Sequence, residues 1–229
     1  MRPFFVWNYE NMKWTNKIEV TNEDNMALMA RYPDNHFDLA IVDPPYGLGK
    51  HKAIGNGDKR NGIVRNKTWI GGEWDNKKPS KCYFEELFIV SKNQIIWGGN
   101  YFTDLIHQSD KWIIWDKMQR VNQSDCELAW TSFKGALRVF QYHSSKLQGF
   151  MNPDRFHPTE KPVKLYKWLL QNYAKEGDLI LDTHLGSGSI AIACHQMGFE
   201  LTGCELDAEY YKAAHKRFKE QTSQLRLKL

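Results

Sequence analysis

The sequence has 229 residues, of which 41% are hydrophobic, and this length suits one well-buried domain better than two. Its formal net charge of +4 and pI near 8.7 are mildly basic, so charge alone does not establish an anionic partner. No apolar run approaches the roughly 18 residues that span a bilayer, and the first residues lack the apolar core of a signal peptide. We therefore expect a cytoplasmic protein with no membrane segment.

The four cysteines are scattered along the chain, at Cys82, Cys126, Cys194 and Cys204. None of them forms a Cys-x-x-Cys pair, and the histidines are not clustered. This spacing is typical of reduced thiols and not of a disulfide framework or a zinc site. We therefore expect buried, reduced cysteines and no bound metal.

The first predicted elements are a short strand and a short helix. In residues Ile18–Val20 two β-branched apolar residues flank Glu19, an alternation that favours a strand. After it, Asp24 or Asn25 is a suitable N-cap for a helix, which Pro33 would end.

The run Phe37–Val42 ends abruptly in Asp43, Pro44, Pro45 and Tyr46, which predicts a buried strand that carries these four residues to the carboxyl edge of a sheet. Open α/β sheets bind ligands at that edge. Neither proline has an N–H and each fixes φ, so the turn is stiff and its carbonyl oxygens are free to accept. The Asp43 carboxylate and the Pro44 carbonyl would meet the two hydrogens of a nucleobase amine, while Tyr46 stacks on the ring.

The segment 47–81 differs sharply in composition from the rest of the chain. It holds seven glycines and nine basic residues against three acidic ones, a charge of +6 that leaves the remaining chain at −2. Such a segment attracts a phosphate backbone whatever the base sequence. The basic residues that we expect to contact nucleic acid are Lys50, Lys52, Lys59, Arg60, Arg65 and Lys67.

Several further strands are predicted in the middle of the chain. The apolar run that starts at Gln94 reads as a second buried strand ending in a Gly-Gly turn, with a helix from Asn100 onward. Three more strands follow with few helices between them, at Lys111–Trp115, Cys126–Trp130 and Ala136–Tyr142. Consecutive strands of this kind predict an antiparallel piece at one side of the sheet.

A well-marked helix follows an aperiodic stretch, residues 143–156. Pro162 suits its first turn, Thr159 is a candidate cap and Gly177 would stop it. Its apolar residues fall on one face at helical spacing: Val163, Tyr166, Leu169, Leu170 and Tyr173.

The C-terminal part has the pattern of a nucleotide-binding unit. A strand, Leu179–Asp182, leads into the glycine-rich loop Thr183–Ser189 and then a helix, Ile190–Met197. The next strand, Glu200–Cys204, ends at Glu205, which lies about twenty residues after the loop and is placed to bind ribose hydroxyls. Glycines let the backbone approach a ligand closely where a strand turns into a helix.

The glycines of this loop do not by themselves decide the cofactor. Gly186-x-Gly188-x-x-Ala191 also satisfies the looser dinucleotide fingerprint, in which alanine replaces the third glycine. After the following strand, Asp207 is expected to cap a last helix with Tyr211 on its inner face.

Three motifs together resemble those of the amino-group DNA methyltransferases. Asp43-Pro44-Pro45-Tyr46 resembles the catalytic motif, most often of enzymes that act on adenine N6. His157–Pro162 resembles the segment that touches the methionine end of the cofactor, and Asp182 with Gly186–Ser189 resembles the cofactor loop. The family commonly has Pro-Phe where this chain has Thr183-His184, and Thr where it has Ser189.

The resemblance implies S-adenosylmethionine as the cofactor and double-stranded DNA as the partner. It places Asp24 against the cofactor's adenine and Lys161 against its carboxylate. The full set of cofactor-binding residues that it implies is Asp24, Lys161, Asp182, Gly186, Ser187, Gly188 and Glu205. In the same way it implies that Asp43, Pro44, Pro45 and Tyr46 are catalytic.

The resemblance also implies a fold. It is the Rossmann-like methyltransferase fold of the α/β class, with a mixed, mostly parallel sheet, helices on both faces and an antiparallel edge. One domain, 1–229, would contain a catalytic half, 18–142, a short variable region, 143–156, and a cofactor half, 157–222. The catalytic motif precedes the cofactor loop, which is the family's β-type order.

The expected activity is methylation of the exocyclic N6 of an adenine that is flipped out of the duplex. Cytosine N4 uses the same chemistry, although that subgroup more often has serine at the position of Asp43. RNA or a protein amide could also occupy the slot, and a non-catalytic nucleic-acid-binding subunit is the alternative from another class. A homodimer and a partner restriction enzyme both stay open.

Overall fold

The computed structural model of the protein describes residues 13–48, 77–118, 124–143 and 160–223. Several predictions fall outside these ranges. They concern the six basic residues Lys50, Lys52, Lys59, Arg60, Arg65 and Lys67, almost all of the variable region 143–156, and the cap at Thr159.

Within the described ranges the chain forms eight strands and five α-helices. The strands are β1 (Ile18–Thr21), β2 (Phe37–Val42), β3 (Ser91–Trp97), β4 (Trp112–Asp116), β5 (Cys126–Thr131), β6 (Arg138–Gln141), β7 (Leu179–Asp182) and β8 (Glu200–Cys204). The helices are α1 (Asn25–Met29), α2 (Lys81–Val90), α3 (Val163–Tyr173), α4 (Ser189–Met197) and α5 (Ala208–Ser223). No helix in this part of the chain is both long and apolar enough to span a bilayer.

All eight strands belong to one mixed sheet, in the order β1-β8-β7-β2-β3-β5-β4-β6. The first five are parallel to one another, β5 runs antiparallel to both β3 and β4, and β6 is parallel to β4. The sequence prediction of a mostly parallel sheet with an antiparallel piece at one side is confirmed. Because β2, β7 and β8 are parallel and adjacent, the loops after them share one edge of the sheet.

Helices cover both faces of this sheet, as predicted. Alternate residues of β2 point to opposite faces, so that Leu39 and Ile41 pack in one core cluster while Ala40 and Val42 pack in the other. The first cluster contains residues of α3, α4 and α5, and the second contains residues of α1 and α2. Burial of each large aliphatic side chain contributes about 1.5–3 kcal/mol, so both faces stabilise the fold.

The helix predicted from Asn100 onward is wrong. The structure has a single 3₁₀ turn, Gly99–Tyr101, before an irregular segment that leads to β4. Two backbone carbonyls that a helix would use are bound by side chains of the sheet. The indole of Trp130 donates to the His107 carbonyl at 2.7 Å, and the indole of Trp112 donates to the Ser109 carbonyl at 3.1 Å. Tertiary packing therefore overrides the local pattern.

Helix α2 was not predicted. It begins after Ser80, whose hydroxyl accepts from the Tyr83 N–H at 3.4 Å, and it buries Tyr83, Phe84 and Leu87. The start of this helix lies at the end of the basic, glycine-rich segment. Because that segment has the composition of a loop, neither the cap nor the helical spacing of the apolar residues was recognised in the sequence.

Two smaller predictions also need correction. Helix α3 starts at Val163 with Pro162 as its N-cap, so the proline lies just before the helix and not in its first turn. Cys194 and Cys204 are buried, but Cys82 and Cys126 are exposed. Both exposed thiols lie at the ends of their elements, where the side chain faces solvent and not the core.

Candidate active site

The carboxyl edge formed by β2, β7 and β8 opens into a cleft of about 370 Å³. Seven of the residues predicted to act on the base or the cofactor line it: Asp24, Asp43, Pro45, Lys161, Gly186, Ser187 and Glu205. The other four are chain neighbours of lining residues: Pro44, Tyr46, Asp182 and Gly188. Motifs from distant parts of the sequence therefore converge on one cavity.

The glycine-rich loop after β7 needs glycine for its backbone. Gly186 and Gly188 have φ of 53° and 73°, in the left-handed region that other residues rarely adopt. A Cβ at Gly188 would also lie 3.2 Å from the Cβ of Ala214 in α5. Gly188 therefore lets the start of α4 pack closely on α5, a structural role that the sequence did not indicate.

Glu205, at the end of β8, holds this loop in place. One carboxylate oxygen accepts from the Gly186 N–H at 2.8 Å, and the other accepts from the Asp207 N–H at 2.9 Å. Burial raises the pKa of Glu205, and these two hydrogen bonds oppose that rise. The acid and the loop thus form one unit at the edge of the cleft.

Asp24 has two structural roles. Its Oδ1 caps α1 by accepting from the Met26 N–H at 2.8 Å and the Ala27 N–H at 3.3 Å, as predicted. It also lines the cleft, as Glu205 does. The same residue therefore fixes the helix that forms one wall of the cavity.

Burial shifts the pKa values of Asp182 and His184 in the directions that favour their uncharged forms. Burial raises the pKa of Asp182 to about 8, and it lowers the pKa of His184 to about 3. Asp182 accepts from the His184 N–H at 3.0 Å. The Asn25 amide contacts His184 Nε2 at 3.0 Å, and His184 Nδ1 lies 2.9 Å from the Thr183 hydroxyl. The Thr183-His184 pair thus forms a polar wall where the family commonly has an apolar one.

Asp43 lines the part of the cleft that the sequence assigned to the target base, and Tyr46 contacts Asp43 there. The Tyr46 hydroxyl donates to Asp43 Oδ1 at 2.7 Å, and the Tyr46 ring stacks on Tyr101 with centroids 4.9 Å apart. Gly98, in the left-handed region with φ of 68°, makes room for this ring. A Cβ at Gly98 would lie 2.1 Å from the ring of Tyr46.

Lys161 links this slot to a residue that the sequence did not single out, Glu127 of β5. The Lys161 ammonium pairs with Asp43 Oδ2 and lies 3.1 Å from Glu127 Oε2 and 5.2 Å from the centroid of the Trp97 ring. The other oxygen of Glu127 pairs with Lys117 at 2.7 Å. Nothing local in the sequence joins these residues, because they come from separate strands and a loop.

Burial and charge act against each other in this cluster. Burial raises the pKa of Asp43, and the Lys161 charge offsets part of that rise. Burial alone would lower the pKa of Lys161, but the carboxylates of Asp43 and Glu127 outweigh it and raise that pKa. For Glu127, Lys161 and Lys117 outweigh burial and lower the pKa. Lys161 therefore stays charged although only 2% of its side chain is exposed.

Arg217 of α5 is a second residue that the sequence did not single out. Its Nη1 donates to the Ser187 carbonyl at 2.8 Å and to the Ser189 hydroxyl at 3.0 Å. Its Nη2 pairs at 2.9 Å with Glu160, the residue before Lys161. Arg217 therefore ties the glycine-rich loop to the segment that supplies Lys161.

The model of a DNA methylase family, which spans N6- and N4-type enzymes, matches residues 1–216. The chain belongs to this family. A putative methylase of Escherichia coli strain K12, YubD, is 26% identical over 211 residues, with 85% of this chain and 87% of that protein covered. The family uses S-adenosylmethionine, which confirms the predicted cofactor.

Solved structures confirm the predicted fold. The structure of the M1.HpyAVI complex with S-adenosylmethionine superposes with a TM-score of 0.54 at 18% identity and covers 87% of this chain and 99% of its own. The PvuII DNA methyltransferase, which is cytosine-N4-specific, gives a TM-score of 0.59 at 12% identity, with 95% and 96% covered. The chain thus has the methyltransferase fold, which is shared by an N4-specific enzyme and does not by itself decide the target base.

Proposed function

We propose that the protein methylates the exocyclic N6 of an adenine flipped out of double-stranded DNA. The observation that carries this proposal is that Asp43 and the glycine-rich loop with Glu205 line one cleft. A base held at Asp43 and a cofactor held at the loop would therefore meet in one cavity. The family membership supports DNA as the substrate, and the choice of adenine rests on the acid at the first position of the catalytic motif.

S-adenosylmethionine suits the cavity. A volume of about 370 Å³ lies in the range of roughly 300–1,000 Å³ that small-molecule sites occupy. Asp24 and Glu205 offer carboxylate oxygens to the hydroxyl and amine groups of the adenosine part. When bound, the cofactor supplies an electrophilic methyl group.

Asp43 and Pro44 hold and orient the target amine. The Asp43 carboxylate and the Pro44 carbonyl accept its two hydrogens, which turns the nitrogen lone pair away from the ring system. The stiff Pro-Pro turn keeps these two acceptors in place without the cost of ordering them when the base arrives. Asp43 therefore acts by position and charge, and it need not be a strong base.

Tyr46 would stack on the flipped base. Flipping costs a few kcal/mol, and a base–aromatic contact returns roughly 1–3 kcal/mol. The ring is already fixed by the Asp43 hydrogen bond and by its stack on Tyr101. Little side-chain entropy is then lost when the base binds.

The test is to incubate the purified protein with unmethylated duplex DNA and methyl-labelled S-adenosylmethionine, then digest the DNA to nucleosides for mass spectrometry. We expect labelled N6-methyladenine. Labelled N4-methylcytosine would mean that the same chemistry acts on cytosine, which is the second candidate because the family includes N4-type enzymes. Cofactor binding without any labelled nucleoside would contradict the proposal and favour an RNA or protein substrate or a non-catalytic subunit.

Other predictions about partners and location rest on the sequence alone. A homodimer, a partner restriction enzyme and a cytoplasmic location stay predictions. The contacts of Lys50, Lys52, Lys59, Arg60, Arg65 and Lys67 with DNA stay predictions as well, since these residues lie outside the described ranges.

A further inference from the structure

Both oxygens of Asp43 already have partners inside the protein. Oδ1 accepts from the Tyr46 hydroxyl at 2.7 Å, and Oδ2 pairs with the Lys161 ammonium. Each oxygen keeps a further lone pair, so a target amine can still bind, but the charge-assisted contact with Lys161 makes the carboxylate a weaker acceptor. The strength with which Lys161 holds Asp43 then affects how well Asp43 accepts the amine.

Glu127 contacts the same ammonium group. Its Oε2 lies 3.1 Å from the Lys161 ammonium, so the one positive charge of Lys161 is shared between two carboxylates. Its Oε1 pairs with Lys117 at 2.7 Å, which fixes the Glu127 side chain from the other side. Without the charge of Glu127, Lys161 would act on Asp43 alone, and the negative charge at the slot would be cancelled more completely.

We propose that Glu127 is a positioning residue that holds Lys161 between two carboxylates, so that Asp43 stays able to accept the amino group of the target base. This inference rests on the proposed function, because it names a residue that regulates the same slot. Lys161 then acts mainly on Asp43, and the contact with the cofactor's carboxylate that the sequence predicted is secondary. Glu127 is not among the residues that line the cleft, so its action on the base is indirect.

The substitution Glu127→Gln keeps the shape of the side chain and removes its charge. We expect kcat/KM for DNA to fall about 10–100-fold, because Lys161 then pairs more tightly with Asp43. The equilibrium Kd for S-adenosylmethionine should stay within about 2-fold of the wild type, since Glu127 does not line the cleft. Glu127→Asp restores the charge and should recover most of the activity.

Glu85→Gln is the matched control. Glu85 also pairs with a lysine, Lys81 at 3.1 Å, but its side chain is 53% exposed. An exposed pair of this kind contributes little, so kcat, KM and Kd should all equal those of the wild type.

A double-mutant cycle separates an effect through Lys161 from a general structural effect. In a Lys161→Met background, Glu127→Gln should change kcat/KM for DNA less than about 3-fold, because the charge that Glu127 shares is gone. An equal cost in both backgrounds would overturn the inference. Loss of cofactor binding in Glu127→Gln alone would overturn it as well.

A readout that does not depend on turnover completes the test. Glu127 raises the pKa of Asp43 by charge repulsion, so ¹³C NMR should show a lower Asp43 pKa in Glu127→Gln than in the wild type. An unchanged pKa would overturn the inference even if the wild type methylates DNA. A wild-type protein that methylates no DNA would contradict the proposed function. The NMR result would still show whether Glu127 acts on Asp43.

Discussion

The cleft itself has two halves that do not follow the sequence ranges 18–142 and 157–222: a cofactor half at Asp24, the glycine-rich loop and Glu205, and a catalytic half at Asp43 and Lys161. These two halves are built by different means. In the cofactor half, backbone groups hold the site: the Gly186 N–H binds Glu205, and the first N–H groups of α1 bind Asp24. In the catalytic half, side chains hold one another, and Lys161 reaches Asp43 from 118 residues away in the sequence. The cofactor half should therefore depend on backbone conformation, and the catalytic half on the balance of charge.

Asp43→Ala is the substitution that we expect to impair the catalytic half most strongly while leaving the cofactor half intact. The variant removes the proposed acceptor for the target amine, so we expect methyl transfer to fall by at least about 1,000-fold. Single-turnover incorporation of labelled methyl into DNA measures this loss. Retention of more than about a tenth of the wild-type rate would show that Asp43 does not hold the amine.

Gly98→Ala tests the slot through packing and not through charge. Its Cβ would lie 2.1 Å from the Tyr46 ring, so the ring must move and its stack on Tyr101 is lost. We expect kcat/KM for DNA to fall roughly 10–100-fold, given about 1–3 kcal/mol for base stacking. The cofactor Kd should not change.

Gly177→Ala is the control for backbone strain. Gly177 has φ of 87°, also in the left-handed region, but a Cβ there meets nothing within 4 Å. Both alanine variants should lose similar stability from strain, by about 1 kcal/mol. If both variants lose the same activity, the loss in Gly98→Ala comes from backbone strain and not from displacement of the Tyr46 ring.

Arg217→Met tests the support of the cofactor half. It removes the donors to the Ser187 carbonyl and the Ser189 hydroxyl, and it removes the ion pair with Glu160. We expect the Kd for S-adenosylmethionine to rise about 10-fold, by titration calorimetry. Lys216→Met removes a neighbouring cation whose side chain is 78% exposed, and its Kd should match the wild type. A normal Kd in Arg217→Met would show that the loop holds its shape without this support.

Asp182→Asn should affect stability and its pH dependence. The folded-state pKa of Asp182 is raised to about 8, well above the roughly 3.9 of an unfolded chain, so its stabilising contribution is present below about pH 4 and is lost as pH rises toward 8. Asparagine does not ionise, so the variant's Tm should exceed the wild type's by more at pH 8 than at pH 5.

Thermal unfolding without cofactor measures that difference, with roughly 2–4 °C for each kcal/mol in a protein of this size. The exposed Asp104→Asn serves as the control for the replacement of an aspartate by asparagine. A Tm difference that is equal at both pH values would contradict a raised pKa for Asp182.

The same contrast explains what could be predicted from the sequence. Strands β7 and β8 have the bounds that were predicted, and the loop between Asp182 and Ser189 lies where the pattern placed it. Strand β2 and the Asp-Pro-Pro-Tyr turn were predicted equally well. These features follow from local patterns: apolar runs, glycines at left-handed positions, and acids at the ends of strands.

The features that were missed depend on contacts between distant residues. Glu127 reads in the sequence only as a polar residue of a strand, and its partner Lys161 lies in a segment with a different motif. Arg217 reads as one more cation of an amphipathic helix, yet it is largely buried against Glu160. The helix predicted after Asn100 fails for the same reason, because indole side chains from β4 and β5 bind its carbonyls.

The separation of the two halves is tested most directly by titration calorimetry of S-adenosylmethionine with Asp43→Ala and Gly188→Val, side by side. Gly188→Val forces a branched side chain onto φ of 73° and against Ala214, so it should abolish measurable cofactor binding, while Asp43→Ala should bind within about 2-fold of the wild type. Circular dichroism establishes that both variants are folded. Loss of binding in both variants, or retention in both, would contradict a cleft made of two separable halves.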